Sequence, residues 1–178
     1  VGTATIGTDH VNVEYLRAKN IAFAYASGSN ANSVAEYLMA AILHHVCEKR
    51  LRLSELTLGV VGVGNVGRRV VRYAEALGLR VLQNDPPRQR AENAKHFLPL
   101  DDLMQADIIS LHTPLTMTGD HATFHLFDTQ RLAKMKAGSL LINTARGAVL
   151  DTAALKDALS ERRLTAYLDV WENEPEID

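Results

Sequence analysis

Residues 57 to 85 constrain the fold of this chain more than any other stretch. Leu58-Gly-Val-Val is an apolar run that reaches Gly62, and Gly64 and Gly67 complete the spacing G-x-G-x-x-G. Val66 to Leu77 follows with apolar residues at Val66, Val70, Tyr73, Ala74 and Leu77, the spacing of one helical face. A second β-rich run, Leu79 to Asn84, then ends on Asp85. Strand, glycine turn, helix, strand and acid, in that order, form the context in which such a spacing marks a dinucleotide site.

Each of these residues has a physical task there. Gly62 permits a tight turn, Gly64 lets the backbone approach a pyrophosphate without a Cβ in the way, and Gly67 lets the helix pack closely. The pyrophosphate sits on free N–H groups at a helix N-terminus, where the macrodipole favours negative charge. An acid at the end of the second strand accepts the ribose hydroxyls and repels a 2′-phosphate, so Asp85 argues for NAD over NADP.

The remaining chain alternates strands and helices. A strand end and turn at 1–8 lead to a helix from His10 to Lys19, with Thr8 or Asp9 as its cap and Asn20 as a left-handed end residue. A short strand follows at 21–26. A long helix, Ser33 to Glu48, is capped by Asn30 or Asn32, and a basic linker runs from Lys49 to Ser54. After Asp85, residues 86–95 read as a charged, proline-interrupted surface loop. A short helix from Leu100 to Gln105 precedes a buried strand at 106–111. A helix from Phe127 to Met135, a strand from Ser139 to Asn143, a helix from Thr152 to Arg162 and a strand from Thr165 to Val170 complete the series. Ala154, Leu155, Ala158 and Leu159 form the inward face of that last helix. This alternation predicts an α/β fold, a Rossmann-type doubly wound parallel sheet with helices on both faces. Residues 1–30 read as the remnant of a second, flavodoxin-like substrate domain. Residues 31–54 read as an interdomain helix and linker, and 55–178 as the dinucleotide domain. Both ends look cut.

Composition narrows the partners. With 178 residues, 47% hydrophobic content and a net charge of −2, nothing suggests a nucleic-acid or anionic-membrane partner. No apolar stretch reaches the ~18 residues of a membrane span. The single cysteine, Cys47, cannot form an internal disulfide, which suits a reducing cytoplasm; its apolar neighbours predict a buried, inert thiol. His44 and His45 lack a third ligand at metal spacing, so no metal site is expected.

Ligand crevices in such sheets open at the C-terminal ends of the strands. Three of those ends carry polar groups: His112-Thr113, Asn143 to Gly147, and Asp169 to Glu174. His112 and Thr113 are therefore placed for ligand contact. Arg146 offers a guanidinium fork for a carboxylate. Asp169 ends an apolar strand, where a carboxylate needs a partner. Glu172 and Glu174 each read first as a solvated loop acid, with a catalytic role as the lesser alternative.

At these blocks the chain resembles a known family. Asn143-Thr-Ala-Arg-Gly-Ala-Val-Leu-Asp and Asp169-Val-Trp-Glu-Asn-Glu-Pro are similar to the catalytic blocks of the D-isomer-specific 2-hydroxyacid dehydrogenases. The opening Val1-Gly-Thr-Ala-Thr-Ile-Gly-Thr-Asp-His-Val, with Asp85-Pro-Pro-Arg, His112-Thr-Pro-Leu and Thr123-Phe-His-Leu, narrows the resemblance to one branch of it. The resemblance covers essentially the whole chain. It implies hydride transfer from C2 of a small phosphorylated 2-hydroxy acid to NAD, as general base catalysis with a charge clamp. Arg146 would hold the substrate carboxylate and carbonyl. Glu174, identified by its Glu-Pro context, would bond a base histidine. That histidine belongs to a His-Ile-Ala-Gly-like block beyond Asp178, so none of the seven histidines here takes its role and the isolated piece is expected to be inactive. Thr5 matches a substrate contact. Asp85, Thr113, Thr144, Ala145, Arg146 and Asp169 match cofactor contacts, and the N–H groups of Asn65 and Val66 would meet the pyrophosphate. The resemblance also implies a cytoplasmic homodimer for the full-length protein. Two alternatives stand beside this reading: a relative acting on phosphoglycerate, glyoxylate or hydroxypyruvate, and a non-catalytic NAD-sensing module like the family's corepressors.

Overall fold

The computed structural model describes residues 1–3 and 11–177. Thr5, Thr8 and Asp9, with the substrate contact and the cap expected of them, lie outside the described residues. Strand β1 (Gly2–Thr3) pairs in parallel with β2 (Ala24–Tyr25), with helix α1 (Val13–Ala18) between them in the chain. The α1 helix begins at Val13 rather than His10, because the Asn12 side chain accepts the Tyr15 N–H at 2.9 Å and caps it there. Asn20 takes the expected left-handed conformation at φ 53°.

Helix α2 (Ala31–Lys49) is longer at both ends than the pattern predicted. Asn30 holds its cap position without a side-chain capping bond, and Asn32 instead donates to Glu36 and accepts from Tyr73. The face it buries is Ala31, Ala35, Leu38, Met39, Ile42, His45 and Val46. Cys47, one step further round the helix, is exposed, which corrects the expectation of a buried thiol. Leu53–Glu55 then forms a turn of 3-10 helix within the expected linker.

The second sheet holds β3 (Thr57–Val61), β4 (Arg80–Asn84), β5 (Ile108–Leu111), β6 (Ser139–Asn143) and β7 (Leu164–Leu168). All its pairings are parallel, in the order β4-β3-β5-β6-β7. Side chains alternate between its two faces, as the two-residue period of a strand requires. Leu58, Val60, Ile108, Leu140 and Ile142 pack with α2 and with α3 (Gly67–Ala76). Val61, Ile109, Leu111 and Leu141 pack on the opposite side with α5 (Thr129–Lys134) and α6 (Thr152–Ser160). Both faces are thus covered by helices, the condition under which a parallel sheet of near-continuous apolar strands is stable.

Three local readings change. Residues 86–92 are helix α4 (Pro86–Glu92), not a surface loop. Asp85 accepts the Arg88 N–H at 3.0 Å as its cap, and two prolines fit the first helical turn, where a missing N–H costs nothing. Leu100–Leu103 is a 3-10 turn shorter than the expected helix. Leu159 is 38% exposed, because the inward stripe of α6 is narrow and ends at Ala154, Leu155 and Ala158.

Candidate active site

The strand order reverses around β3: the chain steps from β3 to β4 on one side, then crosses to β5 on the other. A crevice opens at the C-terminal ends of β3 and β5, where such sheets bind their ligands. Gly62 follows β3 and His112-Thr113 follow β5, so the topology brings together two sequence-predicted groups 50 residues apart.

The glycine turn is built as its spacing requires. Gly62 has φ 86°, and a side chain there would lie 2.8 Å from the backbone carbon of His112. Gly67 has no room for one either: its Cβ would stand 2.0 Å from the carbonyl oxygen of Gly62 and only then meet the Val60 side chain. The close approach is therefore chiefly between the helix and the turn itself. Gly64 differs, because a Cβ there would meet no protein atom within 4 Å. The opening at Gly64 leaves its approach side clear for a ligand. Asn65 follows, its side chain donating to Ser27 Oγ at 3.2 Å and accepting from Arg68. Val66 is the cap residue of α3.

Asp85 sits at the rim of the same crevice. One carboxylate oxygen accepts the Val63 N–H at 2.8 Å and the other caps α4. Each carboxylate oxygen has two lone pairs, so capacity remains for ribose hydroxyls. Beside Asp85 lies a cavity of about 500 Å³ lined by Gly62, Pro86, Leu98, Leu100 and Thr113 among others. This volume is in the usual range of small-molecule sites. The Thr113 hydroxyl oxygen is buried there without a protein partner. An orphaned hydroxyl, an open glycine and an acid with spare lone pairs fit the adenosine and pyrophosphate of a dinucleotide. The apolar walls Pro86, Leu98 and Leu100 were missed in the sequence; the cue was a proline pair directly after a capping acid.

His112 stands at the same strand end as Thr113. Its Nε2 lies 2.5 Å from Ser110 Oγ and its Nδ1 3.4 Å from Thr144 Oγ1. Burial pushes its pKa down to about 3, so the imidazole is neutral at physiological pH. The ring spans the ends of β5 and β6. Beyond it, Asn143 shapes the next turn by accepting the Ala145 N–H at 3.0 Å and donating to the Arg146 carbonyl at 2.9 Å. Arg146 Nη1 donates to the Ala145 carbonyl at 2.7 Å.

The Arg146 turn is pressed against the acidic loop after β7. A Cβ at Gly147 would lie 1.9 Å from the backbone carbon of Trp171, so the 171–172 peptide rests directly on that glycine. Glu174 accepts the Trp171 N–H at 2.5 Å, and Glu172 accepts the Thr152 N–H at 3.1 Å. Asp169 N–H extends the β7 ladder to the Asn143 carbonyl, while the residue itself is exposed, so its carboxylate bears no burial cost. Among the described residues no group of three or more His, Cys, Asp or Glu side chains is arranged to hold a metal ion. No helix among them is long and apolar enough to cross a membrane.

Fold and site together define a dinucleotide-binding domain of the dehydrogenase type. The chain belongs to the D-isomer specific 2-hydroxyacid dehydrogenase family, whose NAD binding domain matches residues 28–178. Among curated proteins it is similar to erythronate-4-phosphate dehydrogenase from Hydrogenovibrio crunogenus, at 46% identity over all of this chain and 47% of that protein. The enzyme of the same name from Salinibacter ruber is 50% identical, again over the whole chain and 47% of the relative. The chain thus spans about half the length of the curated relatives it matches. Among solved structures it resembles D-lactate dehydrogenase from Aquifex aeolicus complexed with NAD and lactic acid. That match has a TM-score of 0.78 and 34% identity, covering 97% of this chain and 58% of the other. NAD-dependent formate dehydrogenase from Staphylococcus aureus in complex with NAD matches with a TM-score of 0.79 and 29% identity, covering 98% and 59%.

Proposed function

We propose that this chain is the cofactor-binding part of an NAD-dependent dehydrogenase. Its substrate in this reading is 4-phospho-D-erythronate, oxidised at C2 to the 2-oxo acid, a step in making pyridoxal 5′-phosphate. The observation that carries the reading is the seating of the 171–174 loop on Gly147, which sets the Arg146 turn and the acidic loop side by side at the C-terminal edge of a dinucleotide crevice. The substrate rests on the names of the curated relatives, each matched across the whole of this chain.

In this reading NAD, when bound, supplies the hydride acceptor. Gly62, Gly64, Asn65, Val66 and Gly67 hold its pyrophosphate, Asp85 its ribose, and His112, Thr113, Thr144, Ala145, Arg146 and Asp169 its remaining polar groups. His112 also meets Thr144 as a neutral ring. Arg146 clamps the substrate carboxylate, and Thr5 contacts substrate from the opening block. Glu174 supports the base histidine that the family resemblance places beyond residue 178. Residues 1–30 belong to the substrate domain, 31–54 to the interdomain connection and 55–178 to the cofactor domain. The full-length protein is read as a cytoplasmic homodimer on the same resemblance.

The test is NADH formation by the full-length protein with 4-phosphoerythronate, 3-phosphoglycerate and glycerate as rival substrates. Turnover of 4-phosphoerythronate above the others is expected. Preference for either rival would overturn the substrate, and no turnover with any would point to an NAD-sensing module.

A further inference from the structure

One imidazole–carboxylate contact lies outside every role assigned above. His125 Nε2 is 2.6 Å from Glu172 Oε1, joining residues 47 positions apart. Both side chains are largely withdrawn from solvent, Glu172 retaining 15% exposure and His125 32%. The second Glu172 oxygen accepts the Thr152 N–H. Burial works to raise the Glu172 pKa, but the bonds from His125 and Thr152 outweigh it and hold the carboxyl below its ordinary value. The other charged group facing the ring is Asp151, whose Oδ2 is 3.8 Å from Nδ1. The Phe124 ring stacks on the imidazole with centroids 4.0 Å apart.

The backbone of His125 is fixed as firmly as its ring. It takes a left-handed φ of 47°, a conformation costly for most residues and held only where surroundings enforce it. Its N–H donates to the Ala148 carbonyl at 2.8 Å, and Phe127 N–H donates to Val149. His125 therefore grips the turn after Arg146 with its backbone and the acidic loop with its side chain. Within that loop the Trp171 N–H, adjacent to Glu172, holds the Glu174 carboxylate.

We propose that His125 and Glu172 are a positioning pair: their bond locks the 171–174 loop onto the Arg146 turn and so sets where Glu174 presents its carboxylate. The pair acts through Glu174 and Arg146 and touches neither substrate nor cofactor. The inference rests on the reading of Arg146 and Glu174 given above, but the clamp itself has an independent readout.

That readout is amide hydrogen exchange of peptides spanning residues 169–177 in the full-length protein, wild type against His125→Ala, Glu172→Ala and the double variant. Exchange there is expected to quicken in each single variant and no further in the double, while the β3 and β5 peptides keep their protection. Steady-state kinetics accompany it. Misplacing Glu174 should cost roughly 10- to 100-fold in kcat while KM for NAD is held. The double variant should lose no more than the worse single one, since the two residues act through one contact. His125→Gln, which keeps a donor for Glu172, should recover part of the loss, and Glu172→Ala carries the test if His125→Ala does not fold. Unchanged exchange at 169–177 would overturn the clamp. Kinetic losses that multiply in the double variant would overturn the pairing. A wild-type protein that turns over no hydroxy acid would sink the functional reading alone, leaving the exchange arm to decide the clamp.

Discussion

A side chain at Gly67 would begin 2.0 Å from the carbonyl oxygen of Gly62, with backbone on both sides of the contact and no flexible group to yield. Helix α3 and the glycine turn are thus one rigid piece. Gly67→Ala should displace the helix and destabilise the domain by about 1–3 kcal/mol, the usual cost of forcing extra atoms into a packed contact. Thermal unfolding checks it, and a melting temperature equal to wild type would contradict the contact.

Gly64 gives the opposite expectation from the same motif. Nothing in the protein lies within 4 Å of a Cβ there. Gly64→Ala should leave the melting temperature within a few degrees while weakening NAD binding at least tenfold, or about 1.4 kcal/mol. Calorimetric titration with NAD separates the two effects. Full affinity in the variant would remove the pyrophosphate from this turn.

Asp85 bonds two backbone N–H groups, so alanine there would loosen the cap as well as remove charge. Asp85→Asn removes the charge and keeps one acceptor oxygen, so one of the two backbone bonds is retained. The ratio of NAD to NADP affinity should fall by about an order of magnitude, as expected when repulsion of a 2′-phosphate is lifted. An unchanged ratio would count against the ribose contact.

His112 makes a pH prediction with a definite sign. Its folded pKa, about 3, lies below the ordinary 6.5. The unfolded chain takes up a proton in that interval that the folded chain refuses. Stability from this group is complete above pH 6.5 and falls by about 1.4 kcal/mol per pH unit as the pH drops toward 3. His112→Asn should flatten that part of the stability curve, which urea titrations between pH 4 and 7 would show. A parallel curve would mean the imidazole protonates freely.

Arg146→Ala should lower turnover by about 10²- to 10³-fold in the full-length enzyme while NAD affinity changes little. Arg146→Lys should recover only part of it, because a single ammonium cannot reproduce a two-pronged grip. Near-normal kcat/KM in the alanine variant would remove Arg146 from the substrate.

What the sequence made legible was whatever is local or periodic. The glycine spacing, the acid after β4 and the alternating strand faces are set by neighbours within a few residues, and the structure has them as expected. The reading of 86–92 failed on a matter of weight: Pro86 and Pro87 signal a break inside a helix but a start at its first turn, and Asp85 as cap decides between these. Cys47 and Leu159 were placed inward because they are apolar, yet each lies just past the edge of its helix's buried stripe. The His125–Glu172 bond had no local signature at all. It exists because the segments at 125–127 and 148–151 run side by side while the 171–172 peptide rests on Gly147, contacts between stretches far apart in the chain.

The two backbone bonds of Asp85 also bear on how cofactor choice can change over time. The same carboxylate that faces the crevice ties the glycine loop to the start of α4. A lineage drifting toward NADP by exchanging this acid would loosen both anchors in the same step. Such a drift would need a compensating acceptor for the Val63 and Arg88 N–H groups already in place, so the order in which mutations arise, and not their sum alone, would decide whether it succeeds.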